Sequence, residues 1–337
     1  MLFGASAPLA KGLLVGVNPW LLAGLLYLGS GVGLSVYRMV RQPPPVELQL
    51  GERCWLAGAI VAGGIIGPVL LMFGLSAMPA SAVALLLNAE AVFTALLAWF
   101  AFKENVDRRI ALGMTTIVGG AVVLSWPDEV RFANLWPALT VLGACLAWSI
   151  DNNLTRKVSL SDATWIAAVK GMVAGTLNLI LAFAQGATLP PLPNVALAMM
   201  LGLLAYGVSL VWFIIGLRHL GTARTGAYFS VAPFFGAALA VPWLGETVTT
   251  RFVTAGALMA LGVWLHVTEQ HCHEHSHEAM EHEHEHGHDE HHQHEHKEPV
   301  WLGTKHRHWH RHTPVIHSHR HFPDAHHRHT HGWYSVE

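Results

Sequence analysis

One stretch of this chain occurs twice, and that repeat limits the possible folds more than any single residue does. Residues 73–126 and 215–267 align without a gap from a shared glycine to a shared arginine, after which one inserted residue restores the match. Each copy has an apolar stretch, a short polar loop with a glutamate (Glu104 or Glu246), and a second apolar stretch. Such a repeat predicts two halves built on the same plan.

The composition predicts that these halves lie in a membrane. The chain of 337 residues is 52% hydrophobic and 12% charged, whereas soluble domains are about 25% charged. Residues 269–337 hold 18 of the 42 charged side chains, so residues 1–268 are even poorer in charge. Three widely spaced cysteines predict neither a disulfide framework nor a CxxC metal site. The sequence has no basic patch interleaved with aromatic residues, so it does not indicate nucleic acid as a partner.

Apolar runs bounded by charges, proline or glycine predict an all-α membrane protein with about ten transmembrane helices. Their approximate bounds are 1–16, 19–40, 55–77, 80–102, 108–126, 135–155, 162–185, 195–217, 222–244 and 250–268. No cleavable signal peptide is evident. The first run is interrupted by Lys11 and is shorter than the roughly 20 residues that a span needs. We therefore expect a first helix that is truncated, or a true start codon upstream of Met1.

The distribution of basic residues predicts the orientation. With the N-terminus in the cytoplasm, ten Lys and Arg side chains fall at cytoplasmic loops or helix ends and two fall on the other side. Both termini of this multi-pass membrane protein are then cytoplasmic. Five helices in each half invert the second half relative to the first. Inverted halves are typical of secondary transporters, whose site lies near the membrane midplane.

Four stretches carry a resemblance to a known family. They are GASAP (4–8), LNAEAVFTALLAWFAFKE (87–104), the glycine-bearing run 113–120, and GLRHLGTARTGAYFSVAPFFGA (216–237). Over residues 1–268 the chain resembles the EamA-type half of the drug/metabolite transporter superfamily, with one repeat at 1–126, whose first helix is short, and one at 135–268. The resemblance implies a ten-helix inner-membrane carrier, typically an exporter of small metabolites, amino acids or drugs. The family pattern does not require the C-terminal tail.

Two polar interruptions fall at matching places of the repeat. Glu90 lies near the middle of the fourth predicted helix, where a carboxylate costs about 2.5–3.5 kcal/mol and desolvation favours its protonated form. A proton-coupled carrier needs such a group, although a protonated glutamate bonded to a neighbouring helix, with Asn88 beside it, is the alternative. The ninth helix carries Ser230 and Pro233 at the matching place, which indicates a binding site. A plain proline kink is the alternative.

Three further polar residues lie within predicted helices. Asp151 and Asn152 either line the cytoplasmic mouth of a cavity or form ordinary contacts at a helix end. Lys170 lies inside an apolar run, where it either pairs with Glu90 or Asp151, binds an anionic group of the substrate, or extends to the interface.

Other polar residues and the glycines have structural interpretations. We expect Glu104 and Glu246 to cap the helix that follows each of them. We expect Arg218 to anchor the topology, and glycines such as Gly63 and Gly67 to permit close helix packing.

The C-terminal tail, residues 269–337, contains 23 of the 25 histidines. A stretch this polar and repetitive predicts disorder. In an extended chain residues i and i+2 point the same way, so His-x-His repeats offer pairs of imidazoles to Zn, Ni, Co or Cu(II), with carboxylates completing the shell. The predicted metal ligands are His271, His273, His275, His277, His282, His284, His286 and His288.

Two functions remain open at this point. The first is a secondary transporter that exports small metabolites, driven by an ion gradient because the sequence has no phosphate loop, with the tail as a metal-binding accessory. The second is an efflux carrier for Ni, Co or Zn, which would want more His, Asp or Glu in the helices than this sequence has. A membrane-anchored metal store would not explain the repeat. No enzymatic activity and no required cofactor are predicted, and a homodimer is left open.

Overall fold

The computed structural model of the chain contains two compact units, Met1–Glu269 and Gln270–Glu337. In the first unit the described residues are 2–15, 17–46, 48–102, 108–125 and 135–268, without the side chains of 101–102, 108, 221 and 223–224. In the second unit only the backbone is described, for residues 272–277, 280–286, 306–312 and 315–320.

The first unit is helical over most of its described length. The first half has α1 (Ser6–Leu13), α2 (Pro19–Arg41), α3 (Leu50–Ala59), the π-helical segment π1 (Ile60–Ile66), α4 (Gly67–Ala77), α5 (Ala80–Leu86), α6 (Ala89–Phe102) and α7 (Arg108–Ser125). The second half has α8 (Trp136–Val158), α9 (Ala163–Ala184), α10 (Leu192–Gly202), π2 (Leu203–Val208), α11 (Ser209–Phe229), α12 (Ala232–Leu244) and α13 (Thr250–Val267).

Among the described residues, seven helical segments are long and apolar enough to cross a membrane. The prediction of ten such helices is therefore not confirmed. Helix α1 has only eight residues, which rise about 12 Å at 1.5 Å per residue. Helix α7 is apolar but short, and α8 has 23 residues but ends in the polar run 151–157.

The apolar segments Leu192–Leu220 and Thr225–Leu244 agree with the spans predicted at 195–217 and 222–244. The helix α11 nevertheless runs without a break through the residues between them. Those residues include no proline, and a helix continues unless a strong breaker is present. The helix breaks at residues 230–231, directly before α12, and Pro233 lies in the first turn of α12, where a proline ring is tolerated.

Equivalent helices of the two halves pack against each other in antiparallel pairs. In the pair α2 and α9, the second helix of each half, Gly24 lies against Leu179 and Gly31 lies against Met172. Partner numbers fall as α2 advances, so the two helices run in opposite directions. The final helices behave alike, since Gly113 of α7 lies against Gly262 of α13 and Gly120 lies against Ala255. Glycines allow this close approach, and the antiparallel sense is the one that inverted halves require.

Glu246 caps a helix in the opposite half of the molecule. Its carboxylate accepts hydrogen bonds from the backbone N–H groups of Ala80 (2.6 Å) and Ser81 (2.9 Å), at the start of α5. The prediction that Glu246 caps the helix after it is wrong, because Thr249 caps α13 by accepting from the N–H of Phe252 (3.2 Å). Helix α12 packs along α5, which brings Glu246, two residues after the end of α12, to the start of α5.

Lys11 caps the C-terminal end of α4, the helix before α5. Its ammonium donates to the carbonyls of Leu75 (2.5 Å) and Met78 (2.9 Å), where α4 ends. A cation at this place satisfies orphan carbonyls and opposes the negative end of the helix dipole. Glu104, the counterpart of Glu246, lies outside the described residues.

We expect Glu246→Gln to destabilise the first unit. The glutamine keeps one acceptor but loses the charge that faces two N–H groups, so the free energy of unfolding should fall by about 1 kcal/mol. Thermal unfolding in detergent, followed as loss of the monodisperse species, measures this change. Val248→Ala, at an exposed position of the same loop (56% exposed), is the control and should leave the midpoint unchanged. Equal midpoints for both variants would contradict this role of Glu246.

Two arginines hold the connection between α8 and α9. Arg38 of α2 forms an ion pair with Asp162 (2.6 Å). Arg218 of α11 donates to the carbonyls of Ser159 (2.8 Å) and Ser161 (2.7 Å). The structure thus gives Arg218, which was interpreted as a topology anchor, specific partners in a loop.

The second unit contains four strands, β1 (Cys272–His277), β2 (Met280–His286), β3 (His306–His312) and β4 (Val315–Arg320). Strand β1 pairs with β4 and β2 pairs with β3, both antiparallel. The alternation of histidine with other residues has the period of two that favours extended strands. The disorder predicted for residues 269–337 as a whole stays a prediction.

Candidate functional site

Glu90 lies directly after a break in a membrane helix. Helix α5 ends at Leu86 and α6 begins at Ala89, and Asn88 in the gap donates its side-chain N–H to the carbonyl of Leu85 (2.9 Å). Asn88 is fully buried. Glu90 is half-buried in the first turn of α6, where the positive end of the helix dipole favours a carboxylate.

A second break lies at the matching place of the other half. Helix α11 ends at Phe229, and Ser230 in the gap donates to the carbonyl of Gly226 (2.8 Å). The gap-free alignment of the repeats places Ser230 on Asn88. Helices broken at equivalent positions are the form in which transporters of inverted repeats build their sites.

Glu90 is part of the lining of two cavities. The larger has an empty volume of about 450 Å³ including its mouth, and its polar lining includes Asp151, Asn152 and Ser209. The smaller has an empty volume of about 280 Å³, also including its mouth, and is bordered by Ser230 in the second break and by Pro233 at the start of α12. The larger cavity is also lined by six aromatic residues, which are Phe3, Tyr27, Trp148, Tyr206, Phe213 and Phe229.

Helix α8 supplies the polar contacts of Glu90. The side-chain N–H of Asn152 donates to the Glu90 carboxylate (2.8 Å) and lies near the hydroxyl of Thr94 (3.4 Å). The Ser149 hydroxyl donates to the backbone carbonyl of Glu90 (2.9 Å). Asn152 was interpreted either as lining a cavity or as making ordinary contacts at a helix end. In the structure it lies in the cavity wall beside Glu90.

Asp151 and Lys170 form a buried ion pair. The ammonium of Lys170 donates to both carboxylate oxygens of Asp151 (2.5 and 2.7 Å) and lies 3.1 Å from the hydroxyl of Thr155, which also donates to Asp151 (2.7 Å). Lys170 is 1% exposed. Of the partners considered for Lys170, Asp151 is the one that it contacts. Gly63 packs against the Asp151 carboxylate, at a position where any side chain would collide with it.

The two π-helical segments lie beside the larger cavity and were not predicted. The carbonyl of Gly63 in π1 accepts hydrogen bonds from the Tyr27 hydroxyl (2.7 Å) and the Trp148 indole (2.9 Å). Segment π2 supplies Ala205 and Tyr206 to the cavity wall. Both segments interrupt the third helix of their half. Widened turns of this kind occur often at functional sites.

In the second unit, the pairing of the strands sets histidine opposite histidine. The facing pairs are His273 and His319, His275 and His317, His282 and His310, His284 and His308, and His286 and His306. Of the predicted metal ligands, His271 and His288 lie outside the described residues. The predicted ligands all lie in the first histidine stretch. In each facing pair, the second histidine comes from the other stretch, from residue 306 onwards.

Clusters of metal-ligating side chains are absent from the part of the chain whose side chains the structure describes. No group of three or more His, Cys, Asp or Glu there lies close enough together to hold a metal ion. His266, near the end of α13, instead contacts the backbone carbonyl of Ile110 (3.0 Å).

Comparison with known proteins supports a transporter. An uncharacterized transporter from Methanothermobacter thermautotrophicus is 27% identical over 281 residues, which are 78% of this chain and 82% of that protein. A probable amino-acid metabolite efflux pump from Salmonella typhimurium is 26% identical over 265 residues, which are 74% of this chain and 85% of that protein. One solved crystal structure shares the fold with a TM-score of 0.64 at 19% identity, covering 79% of this chain and 95% of that chain.

The family itself is decided by a match to the EamA-like transporter family, which occurs twice, over residues 1–126 and 135–268. Together the two matches cover most of the chain. With seven apolar helices among the described residues, the protein is a multi-pass membrane protein that belongs to the EamA-like transporter family.

Proposed function

We propose that the protein is a proton-driven secondary transporter that exports small organic metabolites across the inner membrane. The observation that supports this most is the position of Glu90, half-buried after a helix break and bordering both cavities. A carboxylate at such a depth is costly to keep charged. It therefore takes up or releases a proton as its surroundings change.

In this proposal Glu90 alternates between two states. Facing the cytoplasm, it releases its proton, the hydrogen bond from Asn152 (2.8 Å) stabilises the carboxylate, and the cargo binds. Facing the opposite side, it takes up a proton, and the cargo leaves. The two halves move against each other about the broken helices, so that the site opens to one side at a time.

Relatives and charge distribution support the remaining parts of the proposal. The Salmonella relative is described as a probable amino-acid metabolite efflux pump, which agrees with export of small metabolites. The excess of basic residues on one side favours cytoplasmic termini. No enzymatic activity and no cofactor is part of the proposed cycle, and a homodimer stays a prediction.

The second unit is proposed to bind divalent metal ions such as Zn, Ni, Co or Cu(II). Its paired strands place histidines two apart on one strand opposite histidines two apart on the next, as with His282 and His284 facing His310 and His308. Residues two apart share a face of a strand, so each such group of four belongs to one face, and imidazoles suit these metals. This tail is proposed as an accessory that buffers metal. The alternative is that the protein exports Ni, Co or Zn.

Growth of a deletion strain across Ni, Co, Zn, Cu and Cd separates the two candidate cargoes. The strain is complemented with the full-length protein, with a protein that ends at Thr268, or with Glu90→Gln. We expect metal tolerance that does not depend on Glu90, with at most a modest effect of the tail. Metal-specific sensitivity that only proteins with intact Glu90 relieve would overturn the metabolite assignment in favour of metal export.

A further inference from the structure

The aromatic lining of the larger cavity forms one connected cluster. Phe3 lies at its centre, with its ring centroid 5.8 Å from that of Trp148, 5.9 Å from that of Tyr206 and 5.1 Å from that of Phe229. Tyr27 extends the cluster from Tyr206, with centroids 5.3 Å apart. Phe213 extends it from Phe229, with centroids 4.9 Å apart.

Several separate parts of the chain contribute these rings. Phe3 precedes α1, Tyr27 lies on α2, Trp148 on α8, Tyr206 on π2, and two phenylalanines lie on α11. The lining leucine, Leu210, is accompanied by six aromatic rings. Aliphatic side chains would seal an apolar cavity equally well, but aromatic faces carry negative electrostatic potential and attract cations.

The charged residues that line the larger cavity are Asp151 and Glu90. Asp151 is neutralised by its ion pair with Lys170 (2.5 Å). Glu90 receives a hydrogen bond from the neutral amide of Asn152. When Glu90 is ionised, the lining therefore carries a single unbalanced negative charge beside the aromatic rings.

An anionic cargo finds no suitable partner here. Among the described residues that line the two cavities, none is Lys, Arg or His. Lys170 is the basic side chain behind the wall, and its ammonium is already bonded to Asp151 and Thr155. A carboxylate or phosphate in the cavity would lose its hydration without compensation.

We propose that the cargo class is organic monocations, amines or quaternary ammonium compounds, held between the aromatic rings and ionised Glu90. This inference rests on the proposed proton-coupled function, because the same carboxylate serves the proton and the cargo. One cation then replaces one proton on Glu90, and each cycle exchanges one positive charge for another without net charge movement.

Binding of benzyltrimethylammonium to the full-length protein in detergent tests the inference, with its neutral carbon isostere (2,2-dimethylpropyl)benzene as the matched probe. Quenching of tryptophan fluorescence or calorimetry at pH 8 measures both ligands. We expect the cation to bind at least about tenfold more tightly than the isostere, the scale that a desolvated cation–π contact supplies. Phe229→Leu should remove most of that difference while changing isostere affinity less than about threefold.

A second variant and a control keep the test decisive. Phe213→Leu should act like Phe229→Leu if the latter does not fold, and Phe100→Leu, at an outer position (70% exposed), should bind both ligands as wild type does. Equal affinities for the cation and the isostere, or equal losses for both in the cavity variants, would overturn the inference.

The proton released on binding, read with a pH indicator in weak buffer, separates this inference from the proposed function. Cation binding without Glu90-dependent proton release would keep the cation site and refute proton coupling. Proton release triggered by neutral or anionic metabolites, and not by amines, would keep the coupling and refute the cation class.

Discussion

Replacing Glu90 with glutamine is expected to abolish gradient-driven cargo flux. In proteoliposomes with an imposed pH gradient, Glu90→Gln should carry cargo no faster than protein-free liposomes. The glutamine retains the size and hydrogen-bonding capacity of a protonated glutamate but cannot release a proton, so it is held in one of the two states. It still accepts from Asn152, which should keep α6 and α8 in place and preserve the amount of folded protein.

A second glutamate-to-glutamine change provides the control for this result. Glu246→Gln alters a helix cap and touches neither cavity, so its flux per folded molecule should match that of wild type. Wild-type flux under the pH gradient in Glu90→Gln would refute the assignment of the proton to Glu90. A loss of similar size in both variants would indicate that damage to the fold, and not loss of a proton site, accounts for the defect.

The largest effect on stability is expected at the Asp151–Lys170 pair. Asp151→Asn leaves the Lys170 ammonium, 1% exposed, without a counter-charge, and breaking a buried pair costs about 3–5 kcal/mol. Lys170→Met leaves the Asp151 carboxylate in the same position and should also destabilise. Both single variants should lower the thermal midpoint in detergent by several degrees.

The double variant distinguishes an ion pair from two independent polar contacts. Asp151→Asn combined with Lys170→Met removes both charges, so it should be more stable than either single variant, since replacing a buried pair by neutral groups is often close to neutral. A double variant whose loss equals the sum of the single losses would show that the two residues act independently.

The sequence alone predicted those features that depend on local sequence patterns. The repeat indicated two halves, and the matching interruptions pointed to Glu90 and to Ser230 with Pro233. Pro233 marks the second helix break because the ring disfavours a continuing helix. The first break, at Leu87 and Asn88, has no proline or glycine, and the sequence predicted one continuous helix over 80–102.

Features set by contacts between distant residues could not be predicted from the sequence. Glu246 bonds to a helix start 166 residues earlier in the chain, and no local rule specifies that target. Lys170 had several candidate partners until the tertiary fold brought its ammonium to the carboxylate of Asp151. The aromatic lining was also missed, because single aromatic residues on apolar helices look the same whether they face lipid, core or cavity.

Proton movement driven by cargo tests the central claim most directly. The full-length protein is reconstituted in liposomes that contain a trapped pH indicator, and a gradient of benzyltrimethylammonium is imposed without any pH gradient. The account predicts that protons move against the direction of the cation, that the movement vanishes in Glu90→Gln, and that it persists in Glu246→Gln. Uptake of the cation with no change in internal pH, or the same pH change in Glu90→Gln, would contradict it.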